Sequence, residues 1–181
     1  MKKIFTFITL LFLPVTMVYG QTFALNIEAP PELTVTVLTD GNLDYGTVLQ
    51  DQQYTINLMD SRTEVISIKG NKDRDIYVSI TSQNLILDAS NIIPYTLKAS
   101  YANEGEEDKT QAQDNSITNG SASFPIYDDR GGGPPPWAGG GNNGGGQPTA
   151  KAYLYIYGDI EVGNNRAGTY TGTININVEY D

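Results

Sequence analysis

Apolar and polar residues alternate without a slip from Tyr170 to Tyr180. Tyr170, Gly172, Ile174, Ile176, Val178 and Tyr180 fall on one face, and Thr171, Thr173, Asn175, Asn177 and Glu179 on the other. Such a period of two marks a half-buried β-strand. Its register is strongly specified, because a slip of one residue would turn the whole apolar set to solvent. Just upstream, Ala152 to Tyr157 predicts another strand, closed by a turn at Gly158. Ile160 and Val162 follow as a short apolar pair, and Gly163-Asn164-Asn165 with Ala167-Gly168 brackets a further turn.

The same period recurs through the first half of the chain. Phe23, Leu25 and Ile27 alternate with small or polar residues, and Pro30-Pro31 separates them from Leu33, Val35 and Val37. Asp40-Gly41-Asn42 is a turn signal. Further strands are predicted at Leu43–Val48, around Tyr54, Ile56 and Leu58, at Val65–Lys69, around Ile76, Val78 and Ile80, at Leu85–Leu87 and at Tyr95–Tyr101. No segment carries a helical period. Short strands divided by turn chemistry every eight to twelve residues predict an all-β sandwich.

The pattern breaks between residues 103 and 149. Glu104, Glu106, Glu107, Asp108 and Asp114 face one lysine, and a short strand is predicted within Ser121–Tyr127. In Gly131–Pro148, nine of eighteen residues are glycine and four are proline. That composition buries too little apolar surface to offset the entropy of ordering it. The expectation is one sandwich domain over residues 21–181, with 103–149 a flexible, acidic and Gly/Pro-rich insertion.

Composition narrows the chemistry. Lys2 and Lys3 precede an apolar run from Ile4 to Val18, and Val18 and Gly20 suit a cleavage site before Gln21. Residues 1–20 therefore read as a secretory signal peptide, and the mature chain as exported, with no membrane insertion of its own. The chain has 11 basic and 21 acidic residues, a net charge of −10. Loss of both lysines with the leader takes that to −12. Such a surface repels nucleic acid and anionic lipid. There is no histidine and no cysteine. That removes the commonest general base, thiol nucleophiles, and imidazole or thiolate metal ligands. Nor does any spacing set a base beside a serine or threonine. The chain reads as a non-enzyme without a cofactor.

A few residues still invite a role. Trp137, the single tryptophan, follows three prolines and precedes a glycine run; it is a candidate for stacking on a sugar or a protein partner. Glu104–Asp108 and Asp128-Asp129 offer oxygen ligands of the kind calcium takes, although solvated loop charge is their commoner role. Asn71, Asp73 and Asp75 begin like an EF-hand loop. Ile76 stands where that loop needs glycine and Ser82 where it needs glutamate, so the segment is a turn. Tyr153, Tyr155 and Tyr157 form a stripe on one strand face, suited to cross-strand packing or to an aromatic binding face.

The C-terminal strand resembles the end of pilin subunits of the bacterial chaperone–usher pathway. Those carry a penultimate tyrosine and a glycine fourteenth from the end, the places of Tyr180 and Gly168 here. A closer resemblance rests on Leu43–Val48, Asp75–Thr81, Leu154–Gly163 and Gly168–Tyr180. In order and spacing, these pieces are similar to a secreted, pilin-like Gram-negative family catalogued as domain of unknown function 4402. The resemblance implies an immunoglobulin-like (pilin-like) β-sandwich lacking one strand, located in the periplasm, at the cell surface or in the medium. Its groove would be filled by β-strand addition from another copy or a related subunit, as in a fimbrial or adhesion fibre. Phe23, Leu25, Ile27 and Ala29 would be the donor residues. Gly168, Tyr170, Ile174, Ile176, Val178 and Tyr180 would mark the assembly edge. The same N-terminal strand could equally pair within its own subunit. The chain would then be a self-complete binding module that contacts glycan or protein through the loop around Trp137.

Overall fold

The computed structural model describes residues 17–112, 117, 120–128 and 149–181. The strands in chain order are β1 (Met17–Glu28), β2 (Thr34–Val37), β3 (Asn42–Leu49), β4 (Gln52–Ile56), β5 (Glu64–Asn71) and β6 (Asp75–Ser82). They continue with β7 (Leu85–Asp88), β8 (Asn91–Ile93), β9 (Tyr95–Ala102), β10 (Ser121–Pro125), β11 (Thr149–Val162) and β12 (Tyr170–Tyr180). No α-helix occurs among the described residues.

The strands form two sheets. One has seven strands, in the order β10-β6-β12-β1-β3, with β7 and β8 attached beside β12. The other has five, in the order β2-β5-β11-β4, with β9 on the opposite side of β11. This is the all-β, two-sheet architecture that the alternation predicts. Aromatic rings join the layers: Phe23 of β1 meets Tyr95 of β9 with centroids 4.3 Å apart, and Tyr101 of β9 stacks on Phe124 of β10 at 3.9 Å. The alternating residues of β12 behave as their period requires, with Tyr170, Ile174, Ile176 and Val178 buried.

Two local expectations need correction. Gly158 does not close a turn. It lies inside β11, which runs unbroken from Thr149 to Val162 because Leu97 of β9 and Ile56 of β4 pair with it from either side. Glycine suits the position because a β-carbon there would lie 2.8 Å from the Tyr95 ring and 2.2 Å from the Thr96 carbonyl oxygen. Leu58, expected to continue the alternation of Tyr54 and Ile56, lies beyond β4 in the turn before Asp60.

The tyrosine stripe of β11 is packed away. Tyr153, Tyr155 and Tyr157 are only 5, 0 and 2% exposed, which leaves no open aromatic face. The acidic chain after β9 lies against this stripe. Burial first, then Glu106 and Glu107, push the Tyr153 phenol up; burial, then Glu107 and Asp108, do the same to Tyr155. Lys109 donates to the Asp60 carbonyl at 2.9 Å, Asn103 donates to the Pro125 carbonyl at 2.8 Å, and Ile117 is buried. These described parts of the 103–149 segment are therefore docked on the sandwich, and Ser121–Pro125 adds β10 to the edge of the seven-stranded sheet beside β6.

Candidate assembly groove

The first strand lies beside the last. β1 pairs in parallel with β12, from Gln21 opposite Tyr170 to Glu28 opposite Asn177. Its other edge pairs antiparallel with β3, with a register shift near Gln21. In the chain as described, the groove beside β12 is thus filled by the chain's own N-terminal strand. β1 leaves the sheet after Glu28, and Pro30-Pro31 carries the chain over to β2 in the other sheet. Proline lacks the N–H that would extend a ladder, so pairing ends there.

Phe23 is the deepest anchor of β1, and it is fully buried. It stands opposite Gly172, where a β-carbon would lie 2.6 Å from the Phe23 ring. Tyr95 covers the ring at 4.3 Å, and Tyr45 meets it edge-on at 6.4 Å. The missing side chain of Gly172 is therefore the space the phenylalanine occupies. Leu25 and Ile27 sit opposite Ile174 and Ile176 and are half-buried. On the solvent face of the same pair, the Asn26 side-chain amide donates to Asn175 Oδ1 at 3.0 Å. Ala29 lies beyond β1 and is exposed, so it fills no position in the groove.

The proposed edge residues divide into three groups. Tyr170, Ile174 and Ile176 lie within the run paired to β1. Val178 and Tyr180 lie past that run and pair with β6. Tyr180 ties the end of β12 to the β5–β6 turn: its hydroxyl accepts from the Asn71 N–H at 2.9 Å, and the Arg74 guanidinium sits 3.9 Å above its ring. Gly168 precedes β12 and is closely approached by Leu87 of β7, 2.7 Å from where its β-carbon would be. Trp137 lies outside the described residues, as does Asp129.

Sequence reasoning did not single out Gly172, Tyr45 or Tyr95. A signal existed for the first, since a glycine interrupts an otherwise bulky set on the core face of β12. The two tyrosines come from distant strands, and only the fold brings them to Phe23.

A second concave region, of about 440 Å³, opens between the β2–β3 and β4–β5 turns; Asp40, Asp44, Arg62 and Glu64 are among its lining residues. Glu64 is buried, and its carboxylate accepts from the Thr39 hydroxyl and from the Gly41 N–H. Burial, with a smaller contribution from Asp40, raises its pKa despite those two donors. Arg62 is engaged by Asp60 at 2.7 Å, and that pairing lowers the Asp60 pKa to about 2. Among the described residues, no group of three or more acidic side chains is arranged to hold a metal ion.

No protein-family model matches the chain, and no curated protein matches it significantly.

Proposed function

We propose that this chain is an exported, non-enzymatic, pilin-like subunit that assembles by exchanging residues Gln21–Glu28 of β1, the part of that strand left after removal of residues 1–20, between copies or related subunits. The observation that carries the reading is the place of β1. It lies inside the sheet, between the last strand and β3, yet joins the rest of the fold only through the Pro30-Pro31 segment. Withdrawing it would open the edges of two long strands and empty the Phe23 socket. Unpaired strand edges of this kind recruit another strand. A second copy's β1 meets the same partners, so exchange conserves the contacts of the closed form and builds an open head-to-tail series. The expected setting is the periplasm or cell surface of a Gram-negative bacterium, after removal of residues 1–20. Membership of the secreted family catalogued as domain of unknown function 4402 belongs to the same proposal, as do the immunoglobulin-like strand topology and a fimbrial or adhesive role.

The test is deletion and rescue. A chain lacking Gln21 to Ala29 should be unstable and should recover when a peptide of that sequence is added in trans. A truncated chain as resistant to denaturant as the parent would refute strand exchange.

The pairing of β1 with its own β12 also favours a second reading, a self-complete secreted module that binds glycan or protein through the loop around Trp137. Under that reading, Trp137→Ala abolishes capture in a glycan or matrix-protein screen. An unchanged screen removes the loop from the function.

A further inference from the structure

The cavity of about 440 Å³ between the β2–β3 and β4–β5 turns falls in the size range of small-molecule sites, about 300–1,000 Å³. Its lining carries three carboxylates, Asp40, Asp44 and Glu64, and one cation, Arg62. The guanidinium is already taken: its Nε and Nη2 donate to the two oxygens of Asp60 at 3.1 and 2.7 Å. The lining therefore presents an excess of negative charge, and a concave wall of one sign concentrates its field on whatever enters.

The carboxylates are held in place. Asp44 Oδ1 accepts from the Gly46 N–H at 2.7 Å, and Asp40 Oδ1 from the Asn42 N–H at 3.0 Å. Glu64 is only 2% exposed and accepts from the Thr39 hydroxyl and, at 3.1 Å, from the Gly41 N–H. Burial first, and then the facing Asp40 carboxyl, make its ionised form costly. A cation seated between Asp40 and Glu64 would offset that cost. It is not a bare metal ion, because no three acidic side chains among the described residues are arranged to hold one. A molecular cation spans acids that stand further apart.

A second observation is independent of these acids. Tyr45 belongs to the same lining and is 4% exposed, and its hydroxyl is buried with no hydrogen-bond partner among the described residues. Burial, then Asp159, push the phenol up, and the Arg62 charge works against them, so the hydroxyl end of the ring lies within range of the charged lining. A buried hydroxyl left unpaired is costly and calls for a physical explanation. A hydroxyl on a ligand supplies the missing bond. Thr39, Asn42 and Ser61 make the rest of the wall polar as well. They match a hydroxylated body better than the methylene stem of an alkylammonium.

We propose that this cavity is a binding site for an amino sugar with a free ammonium group. The ammonium seats against Asp40, Asp44 and Glu64, and the sugar hydroxyls pair with Tyr45, Asn42 and Ser61. The inference rests on neither reading of function above. The lining residues and every partner named for them lie beyond residue 21, so the site does not depend on removal of the leader.

Protein purified after expression of the full 181-residue chain is titrated with glucosamine and followed by amide-resolved NMR, which reads weak binding. Glucosamine should saturate one site per chain, with shifts confined to residues 39–46 and 61–64. N-acetylglucosamine, neutral at the same carbon, should bind at least about tenfold more weakly, the loss expected for one charge-assisted hydrogen bond. No saturable binding, or equal binding of the acetylated sugar, would overturn the site. Binding of n-butylamine as tight as that of glucosamine would overturn the assignment to an amino sugar. Asp44→Asn should weaken glucosamine binding by about tenfold, whereas Glu161→Gln, at an exposed position of β11, should not. Equal effects would mean attraction to the overall charge and would overturn the cavity. Tyr45→Phe should weaken binding without lowering the urea midpoint, because the hydroxyl has no protein partner to lose. A lowered midpoint, or unchanged binding, would overturn the role given to Tyr45.

Discussion

Filling the space at Gly172 should expel Phe23, and the size of the effect follows from the geometry. A methyl group at residue 172 would sit 2.6 Å from the Phe23 ring and 3.2 Å from the Asn84 carbonyl oxygen. The first distance is far inside van der Waals contact, so the ring must move. Overpacking of this kind costs about 1–3 kcal/mol. Removing the fully buried ring by Phe23→Ala costs about 3–5 kcal/mol. These are large shares of a domain stability of about 5–15 kcal/mol. The informative protein is the double variant. With the ring gone, the methyl of Gly172→Ala enters vacated space, so the second substitution becomes nearly neutral. The pair should then cost little more than Phe23→Ala alone, a coupling of about 1–3 kcal/mol. Urea unfolding followed by far-ultraviolet circular dichroism gives all four stabilities; if Phe23→Ala alone does not fold, Phe23→Leu replaces it in the cycle. Costs that add within about 0.5 kcal/mol would show the two residues to be independent. The ring would then not occupy the Gly172 socket in solution, and the argument for β1 would fail.

Three further outcomes follow from other parts of the fold. Glu64 binds its proton more readily folded than unfolded, so its contribution favours folding at low pH and is lost as pH rises through the folded value. Glu64→Gln, which keeps an oxygen for Thr39 and Gly41, should flatten the fall in urea midpoint from about pH 4 to about pH 7; an unchanged slope would clear Glu64 of that role. Tyr180→Phe removes the acceptor of the Asn71 N–H and should cost about 0.5–1.5 kcal/mol in the same unfolding assay, whereas no loss would mean that the hydroxyl is not used. Replacing Gly131 to Pro148 by a short linker should leave the melting temperature nearly unchanged, because loop closure depends only weakly on length; a large drop would mean that this segment packs on the core.

Strands with a clean period of two were legible from the chain alone, and β12 is the clearest case. The N-terminal strand was legible in the same way, because Phe23, Leu25 and Ile27 alternate as β12 does. Its partner came from the pilin resemblance, which sets Phe23–Ala29 beside the last strand, and not from the period. Parallel pairing of Gln21–Glu28 with Tyr170–Asn177 joins opposite ends of the chain, and no turn between them sets a register. The continuity of β11 was hidden because Gly158 looks like a turn residue when its neighbours Tyr95 and Thr96 are out of view. The cover over Tyr153 and Tyr155 was hidden for a different reason. Glu106, Glu107 and Asp108 have the composition of a solvated loop, and composition does not reveal that the backbone lies against a sheet. Of the residues proposed for assembly, those within the β1–β12 pairing could be picked by period. Val178 and Tyr180 share the period but lie past that pairing, and Ala29 and Gly168 lie beyond the strand ends, because a strand's end is set by its partners as much as by its own pattern.

Exchange of β1 can be tested with one covalent reporter. Asn26 and Asn175 are directly paired and touch on the solvent face, and the chain has no cysteine to compete. The double variant Asn26→Cys with Asn175→Cys places two thiols at neighbouring positions of adjacent strands, a separation a disulfide can span. After mild oxidation of surface-assembled material, a non-reducing gel should show a ladder of covalent multimers, because each β1 sits beside the β12 of the next subunit. A monomer carrying only an internal bridge in every fraction would contradict exchange and leave β1 as a permanent strand of its own subunit.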